Sequence, residues 1–148
     1  MPLVQTRDFG ELEYDAATEW IFPRGLPGFE DQKRFLLMER EGQAPIVYLQ
    51  SLETPGVCFL AISVWVADPG YQAEMTLEDM EMLGLPRQPK PDDGTLCVAI
   101  LSGSGETFTA NLLAPVVMNL ATRTGLQAVR ADAAYSYRHP LKVEPVCS

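Results

Sequence analysis

The sequence predicts a mainly β protein, a small antiparallel β-barrel-like single domain with one short amphipathic helix. Short runs rich in apolar, β-branched and aromatic residues recur along the chain, separated by turn residues such as Glu41-Gly42 and Thr54-Pro55-Gly56. Only one stretch carries both helix start and helix stop signals. A chain of 148 residues fits one domain with one core and needs no staples to hold it.

Residues 9–14 read Phe-Gly-Glu-Leu-Glu-Tyr, and the second half alternates acidic and apolar residues as a half-exposed strand does. Trp20-Ile21-Phe22 begins the next strand, which stops at Pro23. In Arg24-Gly25-Leu26-Pro27-Gly28-Phe29-Glu30, two glycines and a proline force a shaped loop, while Leu26 and Phe29 give it apolar side chains to pin down. Residues 34–38, 46–52 and 57–66 follow as strands.

The helix is expected at residues 77–83. Thr76 caps it, Asp79 takes the N3 place of an approximate capping box, and Met75 and Met80 are spaced for a hydrophobic staple. Leu77, Met80 and Leu83 fall on one side, the acids Glu78, Asp79 and Glu81 lie near the positive helix start, and Gly84 is a left-handed stop. A helix this short is unstable alone and must dock on the sheet.

Pro86, Pro89, Pro91 and Asp92-Asp93-Gly94 form a stiff linker back to the sheet. Residues 96–101 read as a buried strand, 102–106 as a glycine-rich turn and 107–113 as the hairpin partner. The apolar run 109–119 carries Pro115 at its middle, with Asn111 and Asn119 towards its ends. Proline suits neither a central strand nor a helix interior, so the run should be two short extended pieces meeting at an irregular join. The two amides need partners among apolar neighbours, as a structural lock or a recognition surface. A turn at 122–125, a last strand at 126–130 and an irregular end at 135–141 complete the chain.

The net charge of -9 is unevenly placed. Residues 1–66 hold ten acids against five bases, 67–93 hold seven against two, and 94–148 hold three against four. Such a surface repels phosphates, which disfavours direct nucleic-acid binding and favours a basic protein partner. Cys58, Cys97 and Cys147 lack metal-ligand spacing, and an odd count fits poorly with a disulfide framework. Cys58 and Cys97 read as core thiols, and Cys147 as an exposed, reactive one. No apolar run is long enough to span a bilayer and the first residues carry no signal core, so a cytoplasmic protein is expected.

Catalytic chemistry finds no assembled residues. His139, the one histidine, stands beside Pro140 with neither a nucleophile motif nor a second histidine. Ser102-Gly103-Ser104-Gly105 lacks the Gly-Lys-Ser/Thr ending of a phosphate loop. The adjacent acids Glu30-Asp31, Glu78-Asp79 and Asp92-Asp93 make no calcium-loop pattern, and Tyr135, Tyr137, Arg138 and His139 lack the wider basic field that RNA binding needs. No catalyst, cofactor or metal is expected.

The combination of Ile21-Phe22-Pro23, Gly25-Leu26-Pro27-Gly28-Phe29-Glu30, Leu49-Gln50-Ser51 and the whole run from Thr109 to Asn119 resembles the flagellar assembly factor FliW family. The likeness continues through Gly125-Leu126-Gln127 and from Tyr135 to Pro140-Leu141, covering nearly the whole chain in the family's order. It departs after Asp68-Pro69, where Gly70-Tyr71-Gln72 replaces the aromatic-rich run that members often carry. The resemblance implies a small β-barrel-like protein that binds flagellin in the cytoplasm and, when flagellin is scarce, binds the RNA-binding regulator CsrA. That second contact would relieve repression of flagellin translation and couple synthesis to filament assembly. The residues expected to meet partners are Leu26, Phe29 and Glu30 of the shaped loop, the amides Asn111 and Asn119, and Glu74, Glu78 and Asp79 of the acidic region. Core packing and hydrogen-bonded locks are the competing roles for the loop apolar residues and the asparagines. A small β-barrel that binds RNA directly or holds a small ligand is the rival reading.

Overall fold

The computed structural model describes residues 1–103, 108–130 and 134–141, and within them the strands pair into a ring. The chain runs through β1 (Leu3–Thr6), β2 (Gly10–Glu13), a 3-10 turn (Ala16–Thr18), β3 (Trp20–Ile21), β4 (Arg34–Glu39), β5 (Val47–Ser51) and β6 (Cys58–Ser63). It continues with α1 (Val64–Ala67), α2 (Leu77–Leu83), β7 (Thr95–Ser102), β8 (Thr109–Ala110), β9 (Val116–Asn119), β10 (Thr124–Gln127) and β11 (His139–Pro140). Neighbours around the ring are β7, β6, β5, β4, β3, β10 and β9, and β9 returns to β7, which closes a seven-stranded barrel. Every pairing in the ring is antiparallel except β3 with β10, a single parallel contact between Ile21 and Thr124. The β1–β2 hairpin forms its own small sheet, and β8 and β11 extend the far end of β7.

Strand alternation sorts the apolar residues into two cores. Inside the barrel lie Trp20, Phe22, Leu26, Phe35, Leu49, Ala61, Val98, Val116 and Met118. On the outer side of β6, β7, β9 and β10 lie Ile62, Cys97, Ala99, Leu101, Val117 and Leu126, covered by Val64 of α1, Met80 and Leu83 of α2, and Tyr71, Ala73 and Met75. Successive residues of β7 and β9 therefore enter opposite cores. Burial on both faces is why these strands read as unbroken apolar runs rather than alternating ones. Fully burying a side chain such as Phe22 or Phe35 stabilises the fold by about 1.5–3 kcal/mol, and the two rings meet edge to face at 5.1 Å.

Gly125 shows how closely the inner core is packed. A Cβ there would stand 2.6 Å from the ring of Phe22, well inside contact distance, so only glycine lets β10 pass behind that phenyl group.

The helix at Leu77–Leu83 forms where its caps predict. Thr76 Oγ1 accepts the N–H of Asp79 at 3.2 Å, Gly84 adopts φ 69°, and Leu85 and Gly84 donate back to the carbonyls of Met80 and Glu81 at 2.9 and 3.1 Å. The capping box is only half made, because the Asp79 carboxylate turns to Arg24 instead of back to Thr76. Leu77 is also not on the core side: it is 79% exposed, while Asp79 takes a buried place beside Met80 and Leu83.

Other expectations need correction. The strand foreseen at 57–66 stops at Ser63, whose hydroxyl accepts the N–H of Trp65 at 3.3 Å and caps the one-turn helix α1. Trp65 Nε1 then bonds the carbonyl of Tyr71 at 3.0 Å, a tertiary contact that overrides the β preference of Val64-Trp65-Val66. The last barrel strand lies at Thr124–Gln127 rather than 126–130, with Ala128 and Arg130 still donating to Pro115 and Leu113 at 2.8 and 3.0 Å. The end at 135–141 is not wholly irregular, since His139–Pro140 pairs with β8. β1 was not foreseen. The expected turn at 102–106 and the start of its partner strand fall largely outside the described residues, and Cys147 lies outside them altogether.

Candidate functional site

The loop after Pro23 is built from its backbone outward. Leu26 and Phe29 exchange two hydrogen bonds, Leu26 N–H to Phe29 O at 3.4 Å and Phe29 N–H to Leu26 O at 2.7 Å. Pro27 and Gly28 fill the two central places, and Gly28 supplies the positive φ of 84° that a type II turn needs there. Gly25 has φ 62°, and a Cβ on it would lie 2.6 Å from the carbonyl oxygen of Phe29. Leu26 anchors the turn at 1% exposure. Phe29, 38% exposed, leans edge to face on Phe59 at 5.0 Å. Glu30 is exposed, with Oε1 accepting the N–H of Gly28 at 3.2 Å. The rim thus offers Phe29 and Glu30 to solvent while Leu26 holds them from behind.

Beside it stands the acidic face of α2. Leu77, Glu78, Glu81 and Met82 are exposed on the helix, and Glu74 is exposed just before it. The helix has no basic residue in its last turn, so the charge of Glu81 faces the negative end of the helix dipole without local compensation. Arg24 joins the two surfaces: Nη1 lies 2.8 Å from Asp79 Oδ1, tying the root of the loop to the buried flank of the helix. Asp79 is therefore committed inside the fold, at 8% exposure.

Both asparagines are engaged. Asn111 Oδ1 accepts the N–H of Ala114 at 3.0 Å and shapes the turn between β8 and Pro115. Asn119, 8% exposed, donates Nδ2 to the carbonyl of Leu83 at 2.7 Å and accepts the N–H of Ala121 at 3.0 Å. It joins the end of β9 to the end of α2. The split apolar run is thus two extended pieces around a local turn, each end held by an amide.

Several tying residues went unremarked in the sequence. Gln88 pairs its side-chain amide with the backbone of Met75, accepting at 2.8 Å and donating at 3.0 Å. Arg130 lies over the rings of Tyr71 and Tyr135 at 5.4 and 4.6 Å and donates to the carbonyl of Gln72. Tyr71 donates its hydroxyl to Leu112 O at 2.9 Å, so the Gly70-Tyr71-Gln72 stretch is fastened from three directions. Tyr135, grouped above with the aromatic and basic residues at the end of the chain, is part of this stack; Tyr137 is 56% exposed with Arg138 over its ring at 5.1 Å.

The thiols are quiet. Burial pushes Cys97 up to about 12 and, with Asp8 nearby, Cys58 up to about 11. Cys97 is a core residue; Cys58 is only half-buried. Among the described residues, no group of three His, Cys, Asp or Glu side chains could hold a metal ion, and no helix is long and apolar enough to cross a membrane.

Together the fold and these surfaces define a small closed β-barrel with a helix-covered second core, presenting an acidic helix beside an aromatic turn. The family profile described as FliW protein matches residues 3–141. The flagellar assembly factor FliW of Bdellovibrio bacteriovorus is 34% identical over 148 residues, covering 94% of this chain and 78% of that protein. That of Syntrophomonas wolfei is 31% identical over 144 residues, covering 95% and 88%. A crystal structure of the flagellar assembly factor FliW superposes with a TM-score of 0.85 at 29% identity, covering 98% of this chain and all of that one. The chain belongs to the FliW family of flagellar assembly factors.

Proposed function

We propose that this protein works by binding and not by catalysis: it holds flagellin in the cytoplasm and, when flagellin is scarce, sequesters the translational regulator CsrA. Secretion of flagellin then frees the factor and couples flagellin synthesis to filament assembly. The observation that carries this reading is membership of the FliW family along residues 3–141. Physical support comes from the exposed acids Glu74, Glu78 and Glu81 beside exposed Leu77 and Met82, a surface suited to a basic partner with apolar side chains. Glu78 and Glu74 meet CsrA directly in this reading, while Asp79 supports the helix through Arg24. Phe29 and Glu30 form a second contact rim, with Leu26 and the two asparagines holding the surfaces in shape.

The test is co-purification from the source cell, followed by competition. CsrA is expected to co-purify, purified flagellin to displace it, and the double change Glu78→Lys with Glu81→Lys to weaken CsrA while leaving the melting temperature unchanged. Recovery of neither partner from cells expressing both would refute the proposal.

A further inference from the structure

Among the described residues, three strands at the margins of this fold, β1, β2 and β11, have no neighbour on one side, and the edges are built differently. Strand β2 carries a glutamate, Glu13 or Glu11, at each outward-facing position, which guards its edge with charge. On β11, Leu141 donates its N–H to Phe108 O at 3.2 Å, so strand alternation turns the nitrogen of Pro140 outward. That nitrogen has no hydrogen to offer, and the edge is closed to a further strand. On β1, Tyr14 donates to Pro2 O at 3.1 Å, which fixes residues 2, 4 and 6 as the ones facing β2. Residues 3 and 5 then turn their N–H and C=O groups outward. Arg7, the next in that alternation, uses its outward N–H on Pro55 O at 3.0 Å. For Leu3 and Gln5, no hydrogen bond within the described residues uses these four outward groups. No lysine or bulge guards them, and Pro2 points its missing donor at β2, not at solvent.

The side chains indicate the occupant. Leu3 is 62% exposed and shares the outer face of the hairpin with Gln5, Glu11 and Glu13, paired as Leu3↔Glu13 and Gln5↔Glu11. An added strand would lie directly beside Leu3 and Gln5, while the carboxylates of Glu13 and of Glu11, the latter bonded by Gln5 Nε2 at 2.6 Å, stand one strand further in, about 10 Å away and within reach of a long basic side chain. A second copy of this chain is a poor fit, because it brings a net charge of -9 against itself. We propose that the outer edge of β1 receives an extended, lysine- or arginine-bearing segment of a partner polypeptide by strand addition.

The probe is an end-blocked peptide alternating lysine and valine over six residues, titrated into the full chain and followed by amide NMR and hydrogen exchange. The amides of Leu3 and Gln5 are expected to shift and to exchange about tenfold more slowly, and the matching glutamate-valine peptide to leave them unchanged. Gln5→Pro removes one outward donor without breaking a backbone bond inside the hairpin, giving up only the exposed side-chain bond from Gln5 Nε2 to Glu11 Oε2 at 2.6 Å, and is expected to abolish the effect, whereas Gln5→Ala, which loses the same side-chain bond, should keep it. Independently of any variant, of two probes N-methylated at alternate residues only one should bind about tenfold more weakly, because one set of amides faces β1 and the other faces solvent. Shifts confined to other residues, equal binding of the acidic peptide, or equal binding of both methylated probes would overturn the proposal. Protection of Leu3 and Gln5 that grows with protein concentration in the absence of peptide would assign the edge to a second copy, and would equally overturn it.

Discussion

Replacing Asn119 with alanine tests whether the amide at the end of β9 is a lock. The change removes two hydrogen bonds, Nδ2 to Leu83 O at 2.7 Å and Ala121 N–H to Oδ1 at 3.0 Å. It also leaves the Leu83 carbonyl, at the end of α2, without the side-chain donor that reaches it. Each bond contributes about 1 kcal/mol net, and stranding a buried acceptor costs more, so the variant should lose about 2–3 kcal/mol. With a urea slope of about 2 kcal/mol/M, the midpoint falls by about 1 M; the melting temperature falls by about 5–10 °C. Asn119→Asp sharpens the assay. It keeps an acceptor for Ala121 but sets a carboxylate against the Leu83 carbonyl, so it should be at least as destabilising at neutral pH. Its deficit should shrink in acid, where a protonated carboxyl can donate. A urea midpoint within about 0.2 M of the parent for Asn119→Ala would refute the lock, and weaker partner binding at unchanged stability would make Asn119 a recognition residue instead.

Thr76→Ala should lower stability by about 1 kcal/mol by freeing the Asp79 N–H; an unchanged urea midpoint would remove the cap from the account of α2. Gly125→Ala drives a methyl group into Phe22 and should cost about 1–3 kcal/mol, with Phe22→Leu in the same chain recovering part of that loss. Failure of the pair to do better than the sum of the single changes would mean the clash is absorbed elsewhere. Cys97, held neutral up to about 12, should make the fold weaken in alkali. The folded thiol keeps its proton where the unfolded one has already lost it, so its contribution is whole below the ordinary thiol range and is lost as pH rises through it towards 12. Tyr71, pushed up to about 12 by burial, adds to the same slope. Urea midpoints measured from pH 8 to 11 should fall, and should fall less for Cys97→Ala; equal slopes would refute the assignment.

The sequence made the fold class legible because the strongest signals here are local. Caps at Thr76 and Gly84 delimited the helix, and a proline inside an apolar run forced the break between β8 and β9. What stayed hidden depends on distant partners. Ser63, which caps the turn, is a lone local cue at Val64-Trp65-Val66 against a β-rich run, and the further contact that holds it, Trp65 to Tyr71, reaches across a loop. β1 was missed for a related reason. Four residues, of which Thr6 alone is buried, carry little periodicity, and the hairpin is defined by pairing with β2. Leu77 does not share a face with Met80 and Leu83 as its spacing suggests, because spacing alone cannot tell which arc of a two-turn helix meets the sheet; Asp79, paired with Arg24 from 55 residues away, takes the buried place instead.

The surface was less legible than the core for a physical reason that bears on function. A residue such as Leu26 or Asn111 looks alike in sequence whether it meets a partner or shapes the residues that do. Exposure and bonding differ between them: Leu26 is 1% exposed and Asn111 is bonded to Ala114, whereas Phe29, Glu30, Glu74 and Glu78 reach solvent. Arg24 then gives the two solvent faces a shared support, since one end of its side chain roots the aromatic turn and the other holds Asp79 beneath α2. A ligand that draws on either face perturbs that shared pair, so Arg24→Met should alter binding at both faces together. If the faces act independently, the variant will change only one affinity, measured by separate titrations of flagellin and CsrA, and the common support will have no functional consequence.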